Sequence, residues 1–393
     1  MGVIEDVKMK YELMDMCSDG AVIKVIGVGG GGGNAVDHMI ESHIDSVQFV
    51  CANTDAQALR RLNVETKVQL GIELTKGLGA GTKPEVGKLA AEENKDHIKE
   101  VIDGADMVFL TAGMGGGTGT GAISVIAEVA KEMGVLTVAV VTKPFDFEGQ
   151  KKKLVAEEGI CELEKYVDSL IIIPNQKLLP VLGGNLSVTN AFKAANDVLL
   201  DAVQGITELI THPGLINVDF ADVKTVMANM GAAIMGSGAA TGEHRAREAA
   251  EKAIACPLLE DINLQGAKGI LVNVTAADMG LTEFDEIGSI MQAFASEDAD
   301  MKIGMATNPD MGDEIKVTVV ATGMGCKKSA VNTPVKLVQK AAAGDVNYDV
   351  LDKPTVIRQS KQEPRETRFG AQPKGDVDLD YLDVPAFLRR QAD

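Results

Sequence analysis

Apolar residues along the first half of the chain follow two alternating patterns. Short continuous runs, such as AVIKVIGVG from Ala21 and DMVFLTAG from Asp106, alternate with segments whose apolar positions recur at helical spacing. Val/Ile/Leu runs separated by helices are typical of a parallel sheet that is covered on both faces. The pattern predicts an α/β unit over residues 21–187, with its ligand site at the carboxyl ends of the strands.

The second half begins with a long helical pattern over 188–212, which Pro213-Gly214 should end. A helical segment, AREAAEKAIACPLL, and three strand-like runs, KGILVNVT, MKIGMAT and IKVTVVATG, follow. Helices and strands in this arrangement predict a smaller α+β unit over 213–326.

The two ends of the chain lack these patterns. Residues 1–20 are polar and should be flexible. Residues 327–375 contain prolines and no periodicity, which predicts a disordered linker. Residues 376–393 turn acidic and then present a compact apolar cluster, DYLDVPAFLRRQAD, so we expect a short partner-binding peptide there.

Composition narrows the function classes. The 393 residues carry a formal net charge of -19, which disfavours direct binding to nucleic acid or to an anionic membrane. The five cysteines include no C-x-x-C pair, and no apolar stretch approaches the length of about 20 residues that spans a bilayer. We therefore expect a cytoplasmic protein without a disulfide framework.

Two glycine runs each follow a predicted strand and precede a predicted helix. The first spans Gly27 to Gly33 and the second, GMGGGTGTG, spans Gly113 to Gly121. Backbone N–H groups at a helix N-terminus bind anions when no side chain intervenes. The first run also fits G-x-G-x-x-G, with Asp55 where a ribose-binding acid would be sought, so an NAD-dependent enzyme is one alternative.

The second run weighs against that alternative. A dinucleotide site needs one glycine-rich turn, whereas this chain has two, and the second adds Thr118 and Thr120. Two glycine-rich anion sites with hydroxyl donors suit a longer phosphate chain, such as a triphosphate with its metal. A third loop, GLGAGTKPEVG from Gly77, would close over it. The simpler alternative is that these glycines only permit tight turns.

Several of these segments together resemble the tubulin/FtsZ family. They are GGGGGNAV, NTDAQAL, GLGAGTKPEVG, GMGGGTGTGA, TKPFDFEG and NVDFAD. The resemblance covers 21–326 and the last residues, but not the linker. It implies a tubulin-like fold, in which a Rossmann-like parallel-sheet GTPase domain is followed by a long central helix and a smaller α+β domain. It also implies that the chain binds GTP or GDP with Mg²⁺, and it leaves room for a monovalent cation.

The resemblance assigns phosphate contacts to the glycine loops. The implied residues are Gly30, Gly31, Gly32, Gly33, Asn34, Ala80, Gly81, Thr82, Gly115, Gly116, Gly117, Thr118, Gly119 and Thr120. Asp55 would lie near the metal or the γ-phosphate. A turn-forming role for Asp55 after Asn53 is the alternative.

The resemblance also implies how the base and sugar are recognised. Asp197 and Asn175 would read guanine, because a carboxylate accepts from the two adjacent donors of that base, and Phe192 would pack near it. Glu148 would accept from ribose hydroxyls. Lys152 stands where many relatives carry arginine and cannot make the planar bidentate contact of a guanidinium. A solvated helix position is the alternative for Asp197.

The hydrolytic residues would lie outside the glycine loops. Asn217, Asp219 and Asp222 form an N-x-D-x-x-D motif, whose aspartates would otherwise simply cap the following helix. The resemblance places this loop above the γ-phosphate of the next subunit in a head-to-tail polymer. It implies a GTPase that is activated by self-assembly and builds the division ring at midcell. A non-hydrolysing relative of the same fold is a further alternative.

The C-terminal peptide has implied partners. The family's tail binds the membrane tethers FtsA and ZipA and regulators such as MinC. The residues that would carry this binding are Asp380, Tyr381, Leu382, Pro385, Phe387, Leu388, Arg389 and Arg390. An unstructured terminus is the alternative.

Overall fold

A computed structural model describes residues 20–323, except 45, 183–186, 212–215, 217, 229, 260–266 and 297–298. The predicted N-terminal segment up to residue 19, the linker, the tail peptide, Pro213 and Asn217 lie outside the described residues. The strands of the first half are β1 (Ile23–Val28), β2 (Val47–Asn53), β3 (Thr66–Gln69), β4 (Met107–Gly113), β5 (Leu136–Lys143) and β6 (Ser169–Pro174). The helices there are α1 (Gly29–Glu41), α2 (Ala56–Arg61), α3 (Ile72–Thr75), α4 (Pro84–Glu93), α5 (Lys95–Ile102), α6 (Thr118–Glu132), α7 (Gln150–Leu163) and α8 (Leu179–Leu182).

The second half continues in the same way. Its elements are α9 (Val188–Thr211), α10 (Phe220–Met227), β7 (Gly231–Thr241), α11 (Arg245–Ile254), β8 (Gly269–Ala276), α12 (Leu281–Phe294), β9 (Asp300–Thr307) and β10 (Glu314–Thr322). The predicted long central helix is confirmed as α9. The sequence reasoning did not predict β7.

All the strands lie in one sheet of the order β3-β2-β1-β4-β5-β6-β7-β10-β8-β9. The strands from β3 to β7 in this order pair in parallel, β10 pairs antiparallel with β7 and β8, and β9 pairs in parallel with β8. The pairing between β6 and β7 runs from Ser169 to Ile171 and joins the two predicted units into one continuous sheet.

Alternate residues of the strands serve two separate cores. In β4, Met107 and Phe109 pack into the core beneath α1 and α9, whereas Val108 and Leu110 pack into the core beneath α4, α5, α6 and α7. Both faces of the strand are therefore apolar, which explains its continuous hydrophobic run. A third core lies under α11 and α12.

The strand β7 was not predicted because its sequence, GAAIMGSGAAT, consists mainly of small residues and lacks a continuous run of large apolar ones. Its glycines let α11 approach closely. A Cβ added at Gly236 would lie 2.1 Å from the carbonyl oxygen of Ala253, and one at Gly238 would lie 2.4 Å from that of Ala249. Close helix packing, rather than side-chain burial, thus explains this composition.

The structure also corrects two helix boundaries. The sequence pattern predicts helices from about Asn34 and Ala122, but α1 begins at Gly29 and α6 begins at Thr118. Both helices therefore start inside the glycine runs. No helix among the described residues is long and apolar enough to span a membrane.

Candidate functional site

A cleft of about 430 Å³ opens at the carboxyl ends of the parallel strands, where the sequence predicted a ligand site. Its volume lies within the range of small-molecule sites. The predicted residues that line it are Gly30, Gly31, Asn34, Gly81, Gly116, Gly117, Thr118, Gly119, Glu148, Lys152, Asn175 and Phe192. The structure thus brings together residues from all three glycine loops, from α7 and from α9.

The glycines of these loops divide into two groups. A Cβ added at Gly30, Gly81 or Gly116 would meet no other atom within 4 Å, so these positions face open space in the cleft. A Cβ at Gly32 would lie 2.3 Å from the carbonyl oxygen of Thr111, and one at Gly121 would lie 1.9 Å from that of Pro84. The second group permits close backbone packing, and the first leaves backbone accessible to a ligand.

Two helix N-termini border the cleft. The N-cap residues, Val28 for α1 and Gly117 for α6, provide no side-chain hydrogen bond, and neither helix has an acidic residue in its first turn. The free N–H groups and the positive ends of the helix dipoles therefore favour an anion. This arrangement fits the phosphate chain of a nucleotide.

The threonines of the second run are already bonded to protein. Thr120 accepts a hydrogen bond from the backbone N–H of Gly115 at 2.8 Å. The hydroxyls of Thr118 and Thr54 lie 2.6 Å apart. Thr120 does not line the cleft, and its contact fixes the shape of the loop that does.

The lining of the cleft also includes the polar groups predicted for sugar and base. Glu148 accepts from the backbone N–H of Phe145 at 3.0 Å and pairs with the Lys152 ammonium at 3.0 Å. Asn175 is buried, and its side-chain oxygen lacks a hydrogen-bond partner among the described residues. Phe192 packs edge-on against Phe145 with ring centroids 5.3 Å apart. An unpaired buried acceptor at the cleft wall suits a ligand with a donor.

Several predicted residues do not line the cleft. They are Gly32, Gly33, Asp55, Ala80, Thr82, Gly115, Thr120 and Asp197. Asp55 caps α2 and accepts from the backbone N–H groups of Gln57 at 2.8 Å and Ala58 at 3.1 Å, as its alternative interpretation requires. The Asp197 carboxylate lies 2.6 Å from Nε2 of His38.

Sequence reasoning missed other lining residues, including Asn196, Thr142 and Pro144. Asn196 directly precedes Asp197 on α9. A single polar residue within a helical pattern does not by itself indicate a binding site, so the sequence did not predict it. Thr142 and Pro144 lie at the end of β5 and just after it, so the rule that ligands bind at carboxyl strand ends could have indicated them.

The acidic motif lies away from the cleft. Asp219 caps α10 by accepting from the backbone N–H of Asp222 at 2.8 Å. The Asp222 carboxylate lies 2.9 Å from the Lys302 ammonium of β9. Neither aspartate lines the cleft, where Glu148 is the one carboxylate among the described residues. The glycine-lined cleft and the proposed hydrolytic acids therefore do not lie in one site within a single chain.

Metal binding from protein side chains alone has no support in the described residues, which contain no group of three His, Cys, Asp or Glu side chains suited to an ion. Mg²⁺ commonly binds through substrate phosphates and water, with one or two carboxylates at most. A nucleotide in the glycine cradle would supply such phosphate oxygens.

Comparisons with known proteins agree with this geometry. Residues 22–183 match the description "Tubulin/FtsZ family, GTPase domain", and residues 231–325 match "FtsZ family, C-terminal domain". The chain is 59% identical over 383 residues to the cell division protein FtsZ of Coxiella burnetii, covering 97% of this chain and 99% of that protein. It is 56% identical over 398 residues to the FtsZ of Pseudomonas aeruginosa, covering 98% and 100%.

A solved structure gives the same result. The structure described as an empty FtsZ dimer of M. jannaschii is 43% identical, with a TM-score of 0.75, and the match covers 78% of this chain and 89% of that one. Sequence and fold therefore agree over both halves of the described sheet. The chain belongs to the tubulin/FtsZ family of GTPases and, through residues 231–325 and its identity to FtsZ proteins over nearly its whole length, to the FtsZ branch of that family.

Proposed function

We propose that this chain is a cell-division GTPase whose subunits polymerise head to tail and complete each other's hydrolytic site. The observation that carries this proposal is the separation of the nucleotide cradle from Asp219 and Asp222. Phosphoryl transfer needs a group that positions water. Glu148 is the one carboxylate among the described residues that line the cleft, and it is paired with Lys152. The proposal therefore assigns the hydrolytic acids to a second subunit.

The roles within one subunit follow from the cleft. The open backbone at Gly30, Gly81 and Gly116 receives the phosphate chain, assisted by the N-termini of α1 and α6. Asn175 accepts from the base, and Phe192 packs beside it. Asp197 joins them in reading guanine after its carboxylate turns from His38, with which it pairs in this structure.

The roles between subunits follow from the acidic motif. Asp219 and Asp222 approach the γ-phosphate of the neighbouring subunit and orient the attacking water, with Asn217 beside them. A contact that joins unlike surfaces of identical subunits does not close on itself, so it extends into a filament. The solved structure described as an FtsZ dimer supports self-association within the family.

The finer points of the proposal concern ions and partners. Mg²⁺ accompanies the phosphates, and a monovalent cation is a further ligand at the subunit contact. Residues 21–187 bind nucleotide, α9 links them to the 213–326 unit that carries the acids, and 327–375 tether the peptide 376–393. That peptide binds FtsA, ZipA and MinC and brings the polymer to the division ring.

The experiment is the substitution Asp222→Ala in the full chain. We expect GTP affinity within about twofold of the original value and turnover reduced by two orders of magnitude or more, because the acid acts on a neighbour's nucleotide. Asp300→Ala is a matched control, since Asp300 is also an exposed acid close to Lys302. Retained turnover in Asp222→Ala would mean that this aspartate only supports the helix.

A further inference from the structure

An ion pair attaches the acidic motif to a distant strand. The Lys302 ammonium of β9 lies 2.9 Å from Oδ1 of Asp222, and the two side chains are 33% and 38% exposed. Among the described residues, the Asp222 carboxylate has no other ion pair or hydrogen bond. Lys302 is thus the one charged partner of this carboxylate among the described residues.

The two acids of the motif are held in different ways. Asp219 is fixed by the backbone, because its side chain caps α10 through the N–H of Asp222. Asp222 lies in the first turn of the same helix, and its carboxylate is held by a side chain from another element. The Asp222 carboxylate therefore contacts Lys302, whereas the Asp219 carboxylate contacts the backbone.

The positive charge of Lys302 also acts on the other aspartates around Asp222. The Lys302 ammonium also lies 3.9 Å from Asp300. The hydrogen bond to Asp222, followed by the charges of Asp222, Asp300 and Asp219, raises the pKa of Lys302 above its ordinary value. A lysine is charged at neutral pH even at its ordinary pKa, so the ammonium offsets part of the negative charge that this surface would bring to a triphosphate.

We propose that Lys302 is a positioning residue of the shared GTPase site, which orients Asp222 and reduces charge repulsion between the acidic motif and the neighbour's phosphates. This inference rests on the proposed function. Because like charges repel more strongly as an interface excludes water, the ammonium favours both subunit contact and hydrolysis. Lys302 lies far from the motif in sequence, within the strand run MKIGMAT, so no motif indicates it.

The first test replaces Lys302 with methionine, which keeps a similar length and removes the charge, and with arginine, which retains it. Turnover is measured per assembled subunit, together with the GTP affinity of the isolated subunit. We expect Lys302→Met to lower turnover per assembled subunit about tenfold and to leave GTP affinity unchanged. Lys302→Arg should restore at least half of the original turnover.

Lys95 provides a matched control. Its ammonium lies 2.9 Å from Glu128, and those side chains are 33% and 35% exposed, so the pair has nearly the geometry and exposure of Lys302 and Asp222. The Lys95 pair lies on α5 and α6, outside the acidic motif. Lys95→Met should leave turnover per assembled subunit unchanged.

Salt dependence separates the proposed role from simple structural support. The critical concentration for assembly of Lys302→Met should exceed that of the original chain most strongly at low ionic strength, and the difference should shrink as salt screens the repulsion. Per assembled subunit, the double variant Asp222→Asn, Lys302→Met should turn over GTP no more slowly than Asp222→Asn alone, since the lysine orients that carboxylate. Its critical concentration should still exceed that of Asp222→Asn at low ionic strength, because the ammonium also offsets the charges of Asp219 and Asp300.

The outcomes distinguish this inference from the proposed function. If Asp222→Asn loses turnover while Lys302→Met keeps or exceeds the original turnover, the inference about Lys302 is overturned and the shared site stands. If Asp222→Asn itself retains turnover, the proposed function fails, and the inference fails with it.

Discussion

Gly30→Ala should separate stability from nucleotide binding. Gly30 lies in the first turn of α1 and lines the cleft, and an added Cβ would meet no atom within 4 Å. Its φ is not positive, so alanine can adopt the same backbone. The substitution therefore places a methyl group in the space that the phosphates should occupy, without disturbing the packing of the helix.

The expected magnitudes have opposite signs. Replacing glycine by alanine within a helix stabilises by about 0.5–1 kcal/mol, because the unfolded chain loses conformational freedom. Losing one charge-assisted hydrogen bond to a phosphate costs about 1.5–3 kcal/mol, which corresponds to roughly 10- to 150-fold weaker binding. The variant should unfold at the same or a higher temperature without nucleotide, yet bind GTP and GDP much more weakly.

Thermal unfolding with and without GDP, together with calorimetric titration of GDP, measures both effects. Gly32→Ala is the control two residues away. Its Cβ would lie 2.3 Å from the carbonyl oxygen of Thr111, so we expect it to destabilise the nucleotide-free protein by about 1–3 kcal/mol. Unchanged GDP affinity in Gly30→Ala would refute the placement of the phosphates against this backbone.

Three further predictions concern the base, the second half and the tail. Asp197→Asn should lower the preference for GTP over ATP at least about tenfold. The control Asp201→Asn, one turn along α9, should leave that preference unchanged. The same GTP-to-ATP preference in both variants would reject the base assignment. The hydrogen bond from Arg245 lowers the pKa of Glu283, so this pair stabilises the fold above the unfolded pKa and ceases to do so as pH falls. Glu283→Gln should therefore lower the free energy of unfolding by about 1 kcal/mol at pH 7 and leave it unchanged well below pH 4.5. Denaturant titrations at both pH values measure this difference, and a loss of stability that is independent of pH would contradict it. Phe387→Ala should spare GTP turnover but abolish capture of purified FtsA and ZipA, and undiminished capture would reject the tail assignment.

The fold could be predicted largely from local patterns. The buried strands β1, β4 and β5 have continuous apolar runs, and α9 shows clear helical spacing, so period and composition indicated both. The strand β7 could not be predicted because its small residues reflect the approach of α11, a contact between elements distant in sequence. The helix starts at Gly29 and Thr118 were missed because glycine normally disfavours helices.

The candidate site was predictable where backbone chemistry repeats along the chain. The glycine runs indicated an anion cradle, and the structure places Gly30, Gly81 and Gly116 in one cleft. The partners of single side chains were not predictable. The contacts of Asp197 with His38 and of Asp222 with Lys302 join residues far apart in sequence, and they depend on how α1, α9 and β9 pack.

The shared site is tested most directly by GTP turnover per molecule as a function of protein concentration, with polymer followed by light scattering. We predict turnover near zero below a threshold concentration and a rise in parallel with scattering above it. The reason is that each bound GTP is hydrolysed only when Asp219 and Asp222 of a neighbouring subunit contact it. Turnover per molecule that is independent of concentration, without scattering, would show that one chain contains the whole hydrolytic site and would contradict the proposal.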